Sequence, residues 1–275
     1  MLTPRLSVII PASNEAAYIG ACLTALFASG PINAECIVVA NGCRDATAAV
    51  ARGFTAQAEA AGWALTVLDL PQGGKPNALN AGDRIAKAAM RAYLDADVVV
   101  SPDLMAQLLA ALDGDTPLYA TGTAHIPRAK SAVTRAYARF WQRLPFAQSP
   151  APGHGLFATN AAGRARWAEF PGIISDDTFV RLQFESDERV QFPATYEWPM
   201  IEGFAALTKV RRRQDAGVAE INRLYPGLLA REAKAPLTKA RLLDLALRDP
   251  IGFTTYAAVS VAVRLKRGKG WSRGR

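Results

Sequence analysis

Asp95-Ala96-Asp97 sets two carboxylates one residue apart, between the apolar runs Ala92-Tyr93-Leu94 and Val98-Val99-Val100. Two acids at a strand end suit a hard cation: Mg²⁺ or Mn²⁺ takes one or two carboxylates, keeps water and bridges to phosphate oxygens. In apolar surroundings the pair repels itself unless something neutralises it. Lys75, after Gly73-Gly74, is a point charge fitted to a diphosphate; the same loop also reads as a turn with a solvent-facing lysine. Asp176-Asp177 precedes a predicted helix at 178–184. It reads equally as a proton-transfer carboxylate and as a pair of acids favoured in a first helical turn. His154, between two glycines in a Pro-rich loop, reads as a contact to acceptor or diphosphate or as a loop histidine with no role, and His125, at the end of an apolar strand, reads as structural. The aromatic set Tyr137, Phe140, Trp141 and Phe146 reads as core or as the lining of an acceptor groove.

The elements that must carry these residues follow from hydrophobic periodicity. Leu6–Ile10 reads as a buried strand ended by Pro11, and Glu15–Ala28 has helical spacing. Glu35–Ala40 is a second strand, and Asp45 is placed to cap an Ala-rich helix reaching Ala61. Trp63–Leu70 is a third strand, a helix is predicted near Asn77–Arg91, and Tyr93–Asp97 closes a fourth strand. Ser101 is placed to cap a helix to Leu112. Strands and helices alternate at intervals of about 30 residues, which argues for a doubly wound α/β sheet with its ligands at the carboxyl ends of the strands. Those ends carry Ser13, Asn14 and Glu15 after strand one, Asn41 after strand two, then Lys75, Asn77 and Asn80, then the Asp95/Asp97 pair. Beyond residue 125 the rhythm changes to α+β, with a helix at 129–144, a loop at 145–155, a short helix after Asp176 and a strand near Val190.

Composition narrows the function further. The chain has 275 residues, half of them hydrophobic and 20% charged, enough for a sizeable core. Three cysteines, Cys22, Cys36 and Cys43, suggest neither a disulfide scaffold nor a zinc site, and read as thiols of a reducing cytoplasm. The start lacks a secretory h-region. The longest apolar run, Ile251–Val263, falls short of the ~20 residues that cross a bilayer and reads as a core or interfacial helix. The net charge is +8 and is uneven: residues 209–275 hold 16 Lys and Arg against 5 Asp and Glu, while the rest is mildly acidic. The apolar run followed by Arg264, Lys266, Arg267, Lys269, Trp271, Arg273 and Arg275 favours an anionic membrane surface on the cytoplasmic side. No recognised nucleic-acid module accompanies these charges, so nucleic acid is not an expected partner. Gly-x-x-x-x-Gly-Lys-Ser/Thr is absent, and so is Gly-x-Gly-x-x-Gly after strand one, which disfavours a P-loop nucleotidase and a dinucleotide-dependent dehydrogenase.

Four ordered segments resemble the family 2 glycosyltransferases. They are Ser7-Val-Ile-Ile-Pro-Ala-Ser-Asn-Glu15, Val38-Val-Ala-Asn-Gly-Cys-Arg-Asp-Ala-Thr47, Gly74-Lys-Pro-Asn-Ala-Leu-Asn-Ala-Gly82 and Leu94-Asp-Ala-Asp97. The likeness continues through Gly153-His-Gly155 with Arg164 and Arg166, through Ser175-Asp-Asp177, and through the arginine-rich Val210–Gly217. It implies a GT-A fold over residues 1–217, with a nucleotide-sugar half (1–125) and an acceptor half (126–217), and a basic C-terminal extension at 218–275. It implies an inverting transfer from a nucleoside-diphosphate sugar to a hydroxyl on a glycan or lipid-linked acceptor, as in polysaccharide biosynthesis. The donor is expected against Pro11, Ser13, Asn14, Glu15, Asn41, Lys75, Asn80, Asp95 and Arg213, with Lys75 and Arg213 meeting the diphosphate. A divalent cation is expected on Asp95 and Asp97, and Asp177 as general base.

The chain departs from the family pattern in three places. Ala40-Asn41 replaces an acidic pair that hydrogen-bonds uracil, which leaves the nucleotide base open. Val210 and Gln214 replace Gln and Trp in the arginine segment, which argues against a processive synthase. Asp176 replaces Glu. A sugar nucleotidyltransferase is the alternative enzyme, but it needs a Gly-rich loop where Ala12-Ser13-Asn14 stands. A non-catalytic membrane-binding protein on a degenerate fold is opposed by the intact acids.

Overall fold

The computed structural model describes residues 3–30, 32–232 and 235–265. The first half alternates strictly: β1 (Leu6–Ala12), α1 (Ile19–Phe27), β2 (Ala34–Asn41), α2 (Thr47–Arg52), α3 (Thr55–Ala60), β3 (Ala64–Leu70), α4 (Lys75–Ile85) and β4 (Met90–Leu94). There follow β5 (Val99–Val100), α5 (Leu104–Ala111), β6 (Tyr119–His125), α6 (Ala132–Trp141), β7 (Leu156–Thr159), α7 (Ala161–Arg164), α8 (Asp176–Arg181) and β8 (Arg189–Glu197). Three helices end the described chain: α9 (Phe204–Leu224), α10 (Lys239–Arg248) and α11 (Pro250–Leu265).

The sheet order is β3-β2-β1-β4-β7-β6-β8-β5. β3, β2, β1 and β4 are parallel neighbours, as are β6 and β8; β7 runs antiparallel to both β4 and β6, and β5 antiparallel to β8. The expected doubly wound, mostly parallel α/β sheet is therefore present. The connections diverge on either side of β1 and β4, which opens a crevice at their carboxyl ends. Because β7 runs against β4, its first residues also lie there: the Asp95 N–H donates to the Gly155 carbonyl at 2.8 Å.

β1 and β2 are apolar and buried on both faces, as a central parallel strand requires. Their period of two divides the core. Val8, Ile10, Cys36 and Val38 pack with α1 and α5, while Ile9, Ile37 and Val39 pack with α4 and the aromatics Tyr93, Phe157 and Phe170. The polar pair inside these strands is satisfied: the Ser7 hydroxyl donates to Glu35 Oε1 at 2.6 Å, which also accepts from the Lys87 N–H.

Several sequence expectations need correction. β1 does not end at Pro11 but runs to Ala12; its pairing with β4 stops at Ile9↔Tyr93, so Pro11 lies where the strand has left that ladder. The helix expected from Asp45 to Ala61 is broken at Gly53-Phe54 into α2 and α3, and Asp45 itself accepts the Thr47 N–H at 3.1 Å. The helix expected at 77–91 starts at Lys75, with Pro76 tolerated in its first turn, and stops at Ile85 because Met90 and Arg91 enter β4. Asp103, not Ser101, precedes α5; the Ser101 hydroxyl donates to the Asp103 carboxylate instead. Sequence reading missed the 21-residue α9, which runs through residue 217. The apolar run Ile251–Val263 lies within α11, whose Val259 and Val263 are buried against Tyr137 of α6 and Leu207 of α9. The basic residues Lys266, Arg267, Lys269, Arg273 and Arg275, and Trp271, lie outside the described residues.

Asp249 fixes this C-terminal layer. It is buried between α10 and α11, takes both Nε and Nη2 of Arg139 on α6 at 2.7 Å, and accepts the Gly252 N–H at 3.0 Å. The hydrogen-bonded Arg139 holds the Asp249 carboxyl below the usual carboxylate range. A depressed acid stabilises the fold above its unfolded pKa, and that contribution is lost as pH falls through its folded value. Asp249→Ala should cost about 1–3 kcal/mol, from one helix-start acceptor and one partner of a half-exposed ion pair. Thermal melts should show the gap to wild type widest at neutral pH and closing in acid.

Candidate active site

The crevice at the ends of β1, β2 and β4 continues into a cleft of ≈ 330 Å³. Its polar floor is built by turns that the strand ends force. Pro11, Ser13 and Glu15 come from β1, Asn41 from β2, Gly74 and Lys75 from the start of α4, and Asp95 and Asp97 from the end of β4. Arg211 and Arg213 reach in from α9. A smaller recess beside it is lined by Pro11, Lys75, Asp95, Gly153, Asp176 and Asp177.

Lys75 is the centre of this arrangement. Its Nζ lies 2.9 Å from Asp95 Oδ1 and 3.1 Å from Asp176 Oδ2. Burial alone would lower the pKa of the ammonium, but Asp176, Asp95 and Asp177 outweigh it and hold the group well above its ordinary range. Burial raises the Asp176 carboxyl, Lys75 draws it back down, and Asp177 and Asp95 push it up again; the net direction is upward. The solvent-facing reading of Lys75 is thus replaced by a lysine that joins the strand-four acids to the acids of α8.

The loop ahead of α8 is held from behind by α9. Glu220 accepts the Ile174 N–H at 2.9 Å, and Gly217 lets the helix approach Ser175 so closely that a Cβ would collide with its hydroxyl. Asp177, half-buried, accepts the Thr178 N–H on Oδ1 at 2.6 Å, which leaves Oδ2 for another donor. Gly153 and Gly155 flank His154 at positive φ, and a Cβ would run into Tyr119 at the first and Trp198 at the second. His154 is stacked on Trp198, with ring centroids 5.0 Å apart.

The sequence-predicted residues divide. Pro11, Ser13, Glu15, Asn41, Lys75, Asp95, Asp97 and Arg213 share the cleft, and Asp177 lies in the adjoining recess. The Ser13 hydroxyl is buried there and has no hydrogen-bond partner among the described residues. Asn14 and Asn80 line neither space. Asn14, at φ 60°, accepts the Arg44 N–H at 2.8 Å, and Asn80 makes a two-way bond to the Phe170 backbone at 2.7 and 3.0 Å. Arg164 and Arg166 are likewise structural, paired with Asp83 and Glu188. Asn41 touches the cleft, but its amide is occupied: Nδ2 donates to Ala12 at 2.9 Å and to Val39, and Oδ1 accepts the Gly74 N–H at 2.9 Å. It ties the end of β1, β2 and the start of α4 together.

Sequence reading missed Arg211, which sits in the arginine run it had marked, and Trp198, which the pairing of β8 with β6 and β5 brings to the cleft. Among the described residues no group of three or more His, Cys, Asp or Glu is gathered to hold a metal. Asp95 and Asp97 are two carboxylates on one cleft, a set that suits a hard cation drawing its remaining ligands from phosphate and water.

The profile described as "Glycosyl transferase family 2" matches residues 7–170, more than half of the chain. The chain belongs to this family. It is a glycosyltransferase of GT-A fold. Solved structures agree on the architecture. A mannosyltransferase from Pyrobaculum calidifontis, in complex with GDP-Man and Mn²⁺, is 21% identical at a TM-score of 0.63, over 98% of this chain and 77% of that one. TarS 1-349 of S. aureus, in complex with UDP-GlcNAc, is 15% identical at 0.53, over 94% and 81%. Glucosyl-3-phosphoglycerate synthase from Mycobacterium tuberculosis, with Mn²⁺, UDP and glucosyl-3-phosphoglycerate, is 20% identical at 0.52, over 85% and 81%. A search of curated protein sequences finds no match.

In this glycosyltransferase Lys75→Met would leave Asp95, Asp176 and Asp177 facing one another without their shared cation. The charge then matters only once the acids ionise, so the variant should melt close to wild type in acid. The gap should widen as pH rises through the raised folded value of Asp176. Melting curves between pH 4 and 8 check this, and a gap independent of pH would contradict it.

Proposed function

We propose that the protein is an inverting glycosyltransferase that moves a sugar from a nucleoside-diphosphate sugar to a hydroxyl acceptor, with Asp177 as general base. The observation that carries this reading is the convergence of Lys75, Asp95, Asp97, Arg213 and Asp177 on one cleft and its recess. Asp95 and Asp97 would hold a divalent cation, Mg²⁺ or Mn²⁺, which neutralises charge on the leaving diphosphate. Arg213, which no described acid pairs with, and Lys75 add positive charge beside it. The Ser13 hydroxyl supplies a hydrogen-bonding group to the donor. The acceptor oxygen attacks the anomeric carbon, the bond to the diphosphate breaks, and the acceptor proton passes to Asp177 Oδ2 while Thr178 holds Oδ1.

Asp177→Asn keeps the shape of the side chain and removes its ability to take a proton. Its turnover at saturating donor should fall by about 10²–10⁴-fold with little change in melting temperature. Near-normal turnover would place the base elsewhere. Asp97→Ala, or EDTA on the wild type, should abolish transfer while the fold persists; full activity in EDTA rules out the cation. Because Asn41 is occupied by backbone, UDP, GDP and TDP should compete with a bound donor without a strict preference for UDP.

The same protein is proposed to sit on an anionic membrane surface on the cytoplasmic side and to act in surface polysaccharide or lipid-linked glycan synthesis. Among the described residues no helix is long and apolar enough to cross a membrane. Support comes from α10 and α11. Leu243, Leu247 and Ile251 follow one another at four-residue spacing and are 61%, 75% and 69% exposed, next to Lys239, Arg241 and Arg248. Changing Leu243 and Leu247 to Asp should reduce flotation with phosphatidylglycerol vesicles, and wild-type flotation should fall with added salt. Unchanged flotation of that variant would count against this surface.

A further inference from the structure

Lys75 holds a carboxylate that the cation also needs, and its two partners differ in kind. The Asp176 carboxylate, 3.1 Å away, is enclosed, with 5% of the side chain exposed. The Asp95 carboxylate, 2.9 Å away, lies open to the cleft at 34%. Lys75 is 31% exposed, so a ligand entering the cleft reaches it as well. One ion pair is thus sealed by the fold and the other is exchangeable. The backbone around them is held: the Gly74 N–H donates to Asn41 Oδ1 at 2.9 Å, and the Asp95 N–H donates to the Gly155 carbonyl at 2.8 Å. What is left to move is the lysine side chain, a flexible four-carbon stem with a compact charge at its end.

A divalent cation on Asp95 and Asp97 would share the Asp95 carboxylate with that ammonium. Two positive ions on one carboxylate repel, and in a partly buried place the repulsion is screened less than in water. Two anions offer the ammonium another position. One is Asp176, already in contact; the other is the diphosphate of a donor in the cleft. Without a donor, a cation that takes Asp95 breaks an ion pair and nothing replaces it. With a donor, the broken pair is replaced by one to phosphate. We infer that Lys75 couples the two ligands: it holds Asp95 against a divalent cation until a nucleoside diphosphate takes the ammonium, so cation and donor load together. Asp176 keeps the lysine in place during the exchange. This rests on the glycosyltransferase reading above and specifies how its site fills.

The test measures binding, not turnover, and uses the full chain. Mn²⁺ is titrated and followed by the electron paramagnetic resonance signal of the free ion, first alone and then at saturating UDP, GDP or TDP. In the wild type a nucleoside diphosphate should tighten Mn²⁺, and Mn²⁺ should tighten the nucleotide by the same factor. Lys75→Met should bind Mn²⁺ alone about tenfold more tightly than wild type, and the tightening by nucleotide should shrink by about tenfold, within the usual range of coupling between two sites. If Lys75→Met melts early, Lys75→Gln carries the same expectation, since its amide still donates to a carboxylate. Arg213→Met controls for summed charge. Arg213 lines the same cleft but takes no part in the Lys75 pairs, so its loss should leave the affinity for Mn²⁺ alone close to the wild-type value. Unchanged tightening in both lysine variants, or an equal gain in Mn²⁺ affinity from Arg213→Met, would overturn the coupling and leave the glycosyltransferase reading standing. Nucleotide binding with no Mn²⁺ bound by any of these proteins would overturn the cation, and the coupling with it. No binding of any nucleotide would overturn the glycosyltransferase reading itself.

Discussion

The site depends on one cation. Asp95, Asp176 and Asp177 come from two distant stretches of chain and would repel each other across the crevice if nothing stood between them. Lys75 stands there, within 3.1 Å of two of them. Its place is set by Gly74, whose φ of 131° starts α4 at that point, and by the Asn41 side chain, which grips the Gly74 N–H. Strand, turn and helix start therefore converge on a single ammonium. The strand-four acids line the cleft and the α8 acids the adjoining recess, so the same ammonium adjoins both spaces. A resting lysine that already neutralises the acids also lessens the self-repulsion the fold must tolerate before any ligand arrives.

Much of this was legible in the sequence because it is local. Asp-Ala-Asp after an apolar run, a lysine after two glycines and polar residues after buried strands are statements about neighbours, and neighbours stay together in a strand–turn–helix unit. The β1 to β4 half was readable for that reason, with errors confined to boundaries at Pro11, Gly53-Phe54 and Met90. Long-range pairing was less legible. Trp198 reaches the cleft because β8 pairs with β6 and β5, both more than seventy residues back along the chain, and nothing near Trp198 announces it. Asn14 and Asn80 match the family's pattern yet face backbone. An amide side chain serves equally well as a structural tie or a ligand contact, and only the fold decides between them. The recurrence of acids ahead of α8 left cap and catalyst equivalent; the geometry now shows Asp176 committed to Lys75 and Asp177 with one oxygen uncommitted.

The uneven charge also has a structural meaning. The excess of basic residues begins in α9, whose Arg211 and Arg213 face the cleft, and extends to α10, whose basic residues stand beside exposed leucines. One stretch of sequence thus serves two purposes at different depths. α11 shows the same division, with Val259 and Val263 turned to the body and Val261 and Leu265 turned outward. Its inner face packs with Leu207, Met200 and Ile201, which line the cleft, so α11 supports the site as well as the surface.

Asn41 commits its surroundings to an amide. Where the family usually keeps an acid, this chain keeps an amide, and it uses the NH₂ group to donate to two carbonyls. Aspartate at that position would turn a donor into an anion against the Ala12 and Val39 oxygens in a buried place, and each donor bond would become a repulsion. The β1 end is therefore contingent on the amide NH₂, whereas the Gly74 N–H would meet an acceptor oxygen in either residue.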